Sequence, residues 1–437
     1  MRRFVLLTIS LLGILSFSVG AQAGAAPNGL KHCTLTDARR PQTATPEEVG
    51  MDSAALRRAM AETVTADRAT FKVFRNNCLV AKGSLDDRAG GVAWNLWSST
   101  KSVVSLVTGI ALDSGKLGID DPVGRHLPPG LGDAAHREIT VRQLLTETSG
   151  LAVGAATEGV TAVIPLDPNI VAQALGLPIV TRPGTQYSYS QHAVDLLVYV
   201  VERAVGEDFQ AYAQRNLFDP LGIRPGDYHW ARDRSGHTYG YANLLLPGDD
   251  FAQLGLLVAN RGNWNGKQVV SAEYLRRATS PSAAMPCYGY LFLTRDTRCV
   301  ELTGLPADAS MMVGAMRQDT FTVPSLGLVV TTTGLVNPSG RNNRHDLNRA
   351  VMMSVRNPAV RDPGPYIPLP EVFVTDPSIM NPEVTLGALG VGKYAYPGCT
   401  VFECLGRVPA PPGSNWPPGC MAIACVGADP RTPGIRK

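Results

Sequence analysis

The sequence predicts an α+β domain: a mainly antiparallel β-sheet flanked by helices, with a helical subdomain inserted. Three observations lead there. Strand-like runs lie toward both ends of the chain, at 71–81 and again from 288 to 333. Between 116 and 285 the chain reads mostly as helices and loops. The first two runs are joined by Arg75-Asn76-Asn77-Cys78, a turn suited to a hairpin and so to antiparallel pairing.

The elements follow in order. A helix is expected from Ser53 to Thr65, capped by Asp52 or Ser53, with Leu56, Met60 and Val64 repeating every four residues. The hairpin pairs Phe71–Phe74 with Leu79–Ala81. A long apolar helix runs from Ser98 to Ser114 and stops at Gly115. Further helices are expected at Val141–Thr146, Ala193–Val205 and Phe251–Asn260. Strands are expected at 288–294, 310–316, 319–323 and 327–333, with Pro324-Ser325 as a turn, and a last helix covers Asp346–Val355. From Pro358 the character changes, because 15 of the 33 prolines fall in the final 80 residues beside two cysteine pairs. That stretch reads as a tail stapled by disulfides or draped over the domain. The expected organisation is a leader (1–23), a linker (24–44), one domain (45–356) and the tail (357–437).

At 437 residues, 44% hydrophobic and 18% charged, the chain has ample material for a core, which excludes a mainly disordered protein. Its net charge of +3 gives no global electrostatic case for nucleic acid or an anionic membrane. Residues 1–23 read as a signal peptide. Arg2 and Arg3 form a short basic start, Phe4 to Gly20 is apolar, and Ala21-Gln22-Ala23 is a cleavage pattern. Export to the periplasm or beyond is therefore expected. An uncleaved anchor is the other reading of this run, and nothing later is long and apolar enough to span a bilayer. Export lets Cys33, Cys78, Cys287, Cys299, Cys399, Cys404, Cys420 and Cys425 form four disulfides. Cys287 and Cys299 flank a strand-like stretch and could close a local hairpin. For the last four cysteines a zinc site is the sharper alternative, with disulfides expected outside the cytoplasm.

The motifs G-x-S-x-G, H-E-x-x-H, G-x-x-x-x-G-K-[ST] and G-x-G-x-x-G are missing, which argues against an α/β-hydrolase, a zincin, a P-loop enzyme and a dinucleotide-binding enzyme. No metal or cofactor is called for. Present instead is Ser98-Ser99-Thr100-Lys101 at the start of an apolar helix. At i and i+3 the hydroxyl and the amine share one helical face. The helix N-terminus favours negative charge developing beside Ser98, and together with burial it favours a neutral lysine able to act as a general base. The chain has eight lysines against 32 arginines, and Lys101 alone has a serine three positions before it. A second constellation, Tyr187-Ser188-Tyr189-Ser190-Gln191, precedes another apolar helix; a tyrosine there, beside a lysine, could relay protons. A third, Met311–Met316, carries Gly314 in a strand-like run, where a ligand can approach backbone N–H groups.

In that order the three segments resemble the S-x-x-K serine hydrolases related to class C β-lactamases and DD-peptidases, with family VIII carboxylesterases and aminohexanoate-oligomer hydrolases as close members. The stretches 116–123, 140–151 and 262–268 resemble the same family, so the likeness spans residues 45–356 and excludes the tail. It implies a β-lactamase/DD-peptidase-like fold with Ser98 as nucleophile, Lys101 as its base partner and Tyr189 as proton relay. The N–H groups of Ser98 and Ala315 would form an oxyanion hole, and Gln191 and Gly314 would contact a small ester or amide substrate. Two departures matter. Gln191 stands where the family usually has Asn, and Met312-Val313-Gly314 stands where β-lactamases have K-T-G, which removes the cation that engages the drug's carboxylate. His192 reads as a helix-start residue. An esterase or amidase is expected; the alternatives are a β-lactamase or DD-peptidase, and a catalytically silent envelope scaffold with the tail as contact surface.

Overall fold

The computed structural model describes residues 29–37, 39–63, 68–154, 166–295, 305–334, 344–365 and 381–425. Helix α1 (Ser53–Thr63) is capped by Asp52, whose Oδ1 accepts from the Ala55 N–H at 2.8 Å. Strands β1 (Arg68–Arg75) and β2 (Cys78–Lys82) form the expected hairpin, and Asn76 and Asn77 take the positive φ of 49° and 65° that such a turn needs. Strand β3 (Ala93–Asn95) leads into α2 (Ser99–Asp113), an apolar helix that ends just before Gly115 at φ 69°. Helix α3 (Val141–Leu145) opens on a capping box between Thr140 and Gln143. Helices α4 (Ile170–Gly176) and α5 (Gln191–Val205) start on side-chain caps from Asn169 and Ser190. Next come β4 (His229–Trp230), β5 (Leu244–Pro247), α6 (Gly248–Ala259), the small hairpin of β6 (Asn263–Trp264) and β7 (Lys267–Gln268), and α7 (Ala272–Ala278). The last elements are β8 (Leu293–Thr294), β9 (Ser310–Gly314), β10 (Gln318–Val323), β11 (Leu328–Gly334), α8 (Arg344–Met352), α9 (Pro382–Ala388) and β12 (Ala424–Cys425).

The main sheet runs β2-β1-β11-β10-β9-β8, antiparallel at every step. Burial of both faces follows from the two-residue period of its strands. In β11, Leu328 and Val330 join Leu56 of α1 and Leu347 and Val351 of α8 in one core cluster. Val329 between them joins Phe251, Leu254 and Leu257 of α6 and the apolar side of α2 in the other. A second, four-stranded sheet runs β12-β3-β5-β4, again antiparallel. Its strand β3 carries the chain into α2, so this sheet positions the start of that helix. The fold is thus the α+β arrangement expected, with antiparallel sheets and helices.

Several expectations are corrected. Of 288–294 only Leu293 and Thr294 are strand. Leu291 takes φ 60°, its N–H donates to Leu145 O, and Tyr288, Tyr290, Leu291 and Phe292 are buried in the helical core rather than laid along a sheet. The strand expected to 316 ends at Gly314, because Met316 and Arg317 turn through φ 57° and 69°. The stretch expected as a linker, 24–44, is fastened to the domain where it is described. Cys33 is bonded to Cys78, Leu35 is buried and Thr43 bridges Leu79.

The zinc alternative is excluded, since Cys399–Cys404 and Cys420–Cys425 are disulfides. Cys287 is also disulfide-bonded, while Cys299 lies outside the described residues, as does the 1–23 leader. The described tail lies on the body. Helix α9 packs on α4, Arg234 donates to Val401 O and Ala410 O, and β12 pairs with β3.

Candidate active site

From Ala93 to Ala111 every residue is buried except Ser98, which is half-buried. Between β3 and α2 the chain turns through Trp97 at φ 47°, a backbone that costs a bulky residue about 1–2 kcal/mol and persists only where neighbours hold it. Here they do. The Trp97 N–H donates to Asn95 Oδ1 at 2.9 Å, and the Leu96 N–H donates to Leu244 O on β5 at 2.9 Å. This turn delivers Ser98 to the N-cap position of α2. Ser99 Oγ donates to Gln318 O at 2.6 Å, binding the helix start to β10.

Lys101, one turn on, is 1% exposed. Its Nζ donates to Glu147 Oε1 at 2.7 Å and to Ser190 O at 3.1 Å, and lies 3.8 Å from the centroid of the Tyr189 ring. A buried cation needs such company. Glu147 is the residue that sequence reasoning passes over. It is fully buried at φ 50°, just past the end of α3, and its carbonyl accepts from the Ser188 N–H at 2.9 Å. One side chain and one carbonyl therefore tie the first motif to the second. Burial pushes the Glu147 carboxyl up to about 7, with Lys101 pulling the other way. The partner of the Lys101 amine is therefore a carboxyl buried against it.

In the second motif Tyr187, Ser188 and Ser190 are buried, while Tyr189 and Gln191 are half-buried. Ser190 caps α5, Gln191 is its first residue, and His192, buried, its second. The Tyr288 ring backs both tyrosines, with centroids 5.3 Å from Tyr187 and 6.4 Å from Tyr189. Burial holds the Tyr187 and Tyr288 phenols well above the ordinary range, so both stay protonated.

The third motif ends against the first. A Cβ on Gly314 would collide with Leu96 O, so β9 reaches the turn before Ser98 only because this residue has no side chain. Arg344 Nη2 donates to Gly314 O at 3.0 Å while its Nε pairs with Asp319 Oδ2 at 2.8 Å. Ala315 follows, exposed, at the start of the turn. Met312 is buried in the core. Lys101 thus meets the second motif through the Tyr189 ring and Ser190 O, Gly314 meets the turn before Ser98 through Leu96 O, and Gln191 and Ala315 are the next residues along those two segments. Among the described residues no group of three or more His, Cys, Asp or Glu side chains is placed to hold a metal ion.

Residues 74–352 match the family model described as Beta-lactamase. Esterase EstB of Burkholderia gladioli is 34% identical over 166 residues, covering 33% of this chain and 42% of the esterase. The match therefore spans less than half the length of that relative. A penicillin-binding protein homolog from Caulobacter crescentus superposes with a TM-score of 0.53 at 15% identity, over 69% of this chain and 97% of that one. EstCE1, a hydrolase with promiscuous acyltransferase activity, gives 0.52 at 16% identity, over 70% and 98%. These two solved structures share its fold.

Proposed function

The chain belongs to the Beta-lactamase family, and on that footing we propose that it is an exported serine hydrolase cleaving a small carboxylic ester or amide through an acyl-enzyme on Ser98. The observation that carries this reading is the single opening in the buried stretch 93–111: Ser98 meets solvent one turn before a buried lysine paired with a buried carboxyl. Such a pair is expensive unless it has a task.

The proposed steps use these contacts. A proton passed from Lys101 to Glu147 frees the amine without changing the net charge of the pair. Lys101 then takes the Ser98 hydroxyl proton as Oγ attacks the substrate carbonyl carbon. Negative charge on the carbonyl oxygen develops at the N-terminus of α2, where the N–H groups of Ser98 and Ala315 serve as donors; losing one such donor costs roughly 10²–10³ in rate in comparable sites. Tyr189, its ring against Lys101, delivers a proton to the leaving alcohol or amine, and the acyl group stays on Ser98. Water then attacks the acyl carbon and gives a proton to Tyr189, while Lys101 returns the proton it took to Ser98 Oγ as the acyl–oxygen bond breaks, releasing the acid and the free serine. Gln191 and Gly314 line the substrate's approach. Met312-Val313-Gly314 presents no cation from the strand itself, which favours neutral esters and amides over a β-lactam carboxylate. The family match over 74–352 and the esterase relative support the hydrolase reading, and the disulfides of the described residues support export.

Nitrophenyl-ester turnover tests the proposal. Ser98→Ala should lose activity by at least about 10³-fold, and wild-type turnover of nitrophenyl esters should exceed that of nitrocefin. A Ser98→Ala chain with near wild-type turnover would contradict it.

A further inference from the structure

We infer that the C-terminal loop Cys420–Cys425, outside the family-matched segment, is a positioning element of the Ser98 site; this rests on the hydrolase reading above. The link between the two is Asn95, fully buried at the end of β3. Its Oδ1 accepts from the Trp97 N–H at 2.9 Å and from the Asn243 N–H at 3.0 Å. Its Nδ2 donates to Asn243 Oδ1 at 2.8 Å and to Ala422 O, in the tail, at 2.6 Å. Its backbone N–H donates to Ile423 O at 2.9 Å. One amide is therefore held between the tail, Asn243 just before β5, and the left-handed turn at Trp97.

The order of connection matters. Without β12, strand β3 would be the edge of its sheet, with its N–H and C=O groups open to water. The tail closes that edge as Ala424 and Cys425 pair with Trp94 and Ala93. The Cys420–Cys425 disulfide closes the loop that presents Ala422 O and Ile423 O, and the Met421 N–H donates to Ala424 O at 3.0 Å inside it. Upstream, Trp416 packs beside His229 with ring centroids 5.4 Å apart, and Asn415 Nδ2 donates to Asp233 O at 2.9 Å, so the loop is anchored before it reaches β3. An acceptor on Asn95 can hold Trp97 in a costly backbone only if the Asn95 side chain is itself fixed, and the tail supplies one of its two donor contacts. The tail thus acts on Ser98 through Asn95 and Trp97 and touches no reacting atom.

The test compares the rate constant and the endpoint of fluorophosphonate labelling in four chains: full length, ending at Cys425, ending at Gly419, and full length with Cys420→Ala and Cys425→Ala. Rate constant and endpoint separate misplacement of Ser98 from partial unfolding. The inference predicts full labelling in all four. The chain ending at Cys425 should match the full chain; the one ending at Gly419 should label roughly tenfold more slowly or worse, and the double alanine variant should fall between. Equal rate constants in all four would overturn it, as would equal slowing in the chain ending at Cys425, or a loss confined to the endpoint. Should the chain ending at Gly419 fail to fold, the double alanine variant decides alone, a wild-type rate constant overturning the inference. A full-length chain that takes no label contradicts the hydrolase reading instead, and the brace falls with it.

Discussion

Lys101 and Glu147 meet at 2.7 Å with neither more than 1% exposed, and this contact sets the expected pH dependence. Burial raises the carboxyl to about 7. Below that pH both groups carry protons and no free base faces Ser98, so kcat/KM should fall as pH drops through this range. Glu147→Gln keeps the volume and removes the titration; activity at pH 7 should drop about tenfold or more and the acid limb near 7 should disappear. Glu147→Asp should retain the limb. A pH profile unchanged in the Gln variant would remove Glu147 from the proton path. Glu147 was not legible as a site residue for a physical reason. It stands among Thr146, Thr148 and Ser149, where a glutamate reads as surface, and only the turn at φ 50° sends it inward. Ser98, Lys101 and Tyr189 stood out as candidates because their order along the chain resembles the family, whereas the spacing of each motif alone is a weak signal.

At the level of elements, the site depends on how closely β9 can approach the turn before α2. Gly314→Ala places a methyl group against Leu96 O, with Gln318 on the other side. The strand must retreat, carrying Ala315 with it. The expected result is a fall in kcat of about 10²-fold with a smaller change in KM, together with a Tm lower by a few degrees. Near wild-type kcat would mean that the end of β9 does not position the oxyanion donors. The same scale shows what local pattern can and cannot reveal. Asn76-Asn77 announces its hairpin because the turn chemistry is local. The aromatic run 288–292 alternates like a strand yet is consumed by the helical core, and β12 is two residues long and pairs with Trp94 and Ala93 far upstream.

Across the whole molecule, the sheet closes only when β1 meets β11 from the other end of the domain, and the tail then closes the smaller sheet. Disulfides reinforce different parts of this plan. Cys33–Cys78 spans 45 residues and restrains the segment before α1, worth about 4 kcal/mol by chain entropy; Cys420–Cys425 spans five, worth about 2 kcal/mol. Replacing Cys33 and Cys78 by Ala should therefore lower denaturant stability more than replacing Cys420 and Cys425. The reverse order would show that loop length does not govern these bonds. All of this architecture converges on one hydroxyl. Peptide mass mapping after reaction with a fluorophosphonate addresses it directly: a serine hydrolase built as described carries one adduct per chain, on the peptide containing Ser98, and none in Ser98→Ala. An adduct on another residue, or equal labelling of the Ser98→Ala chain, would contradict that assignment.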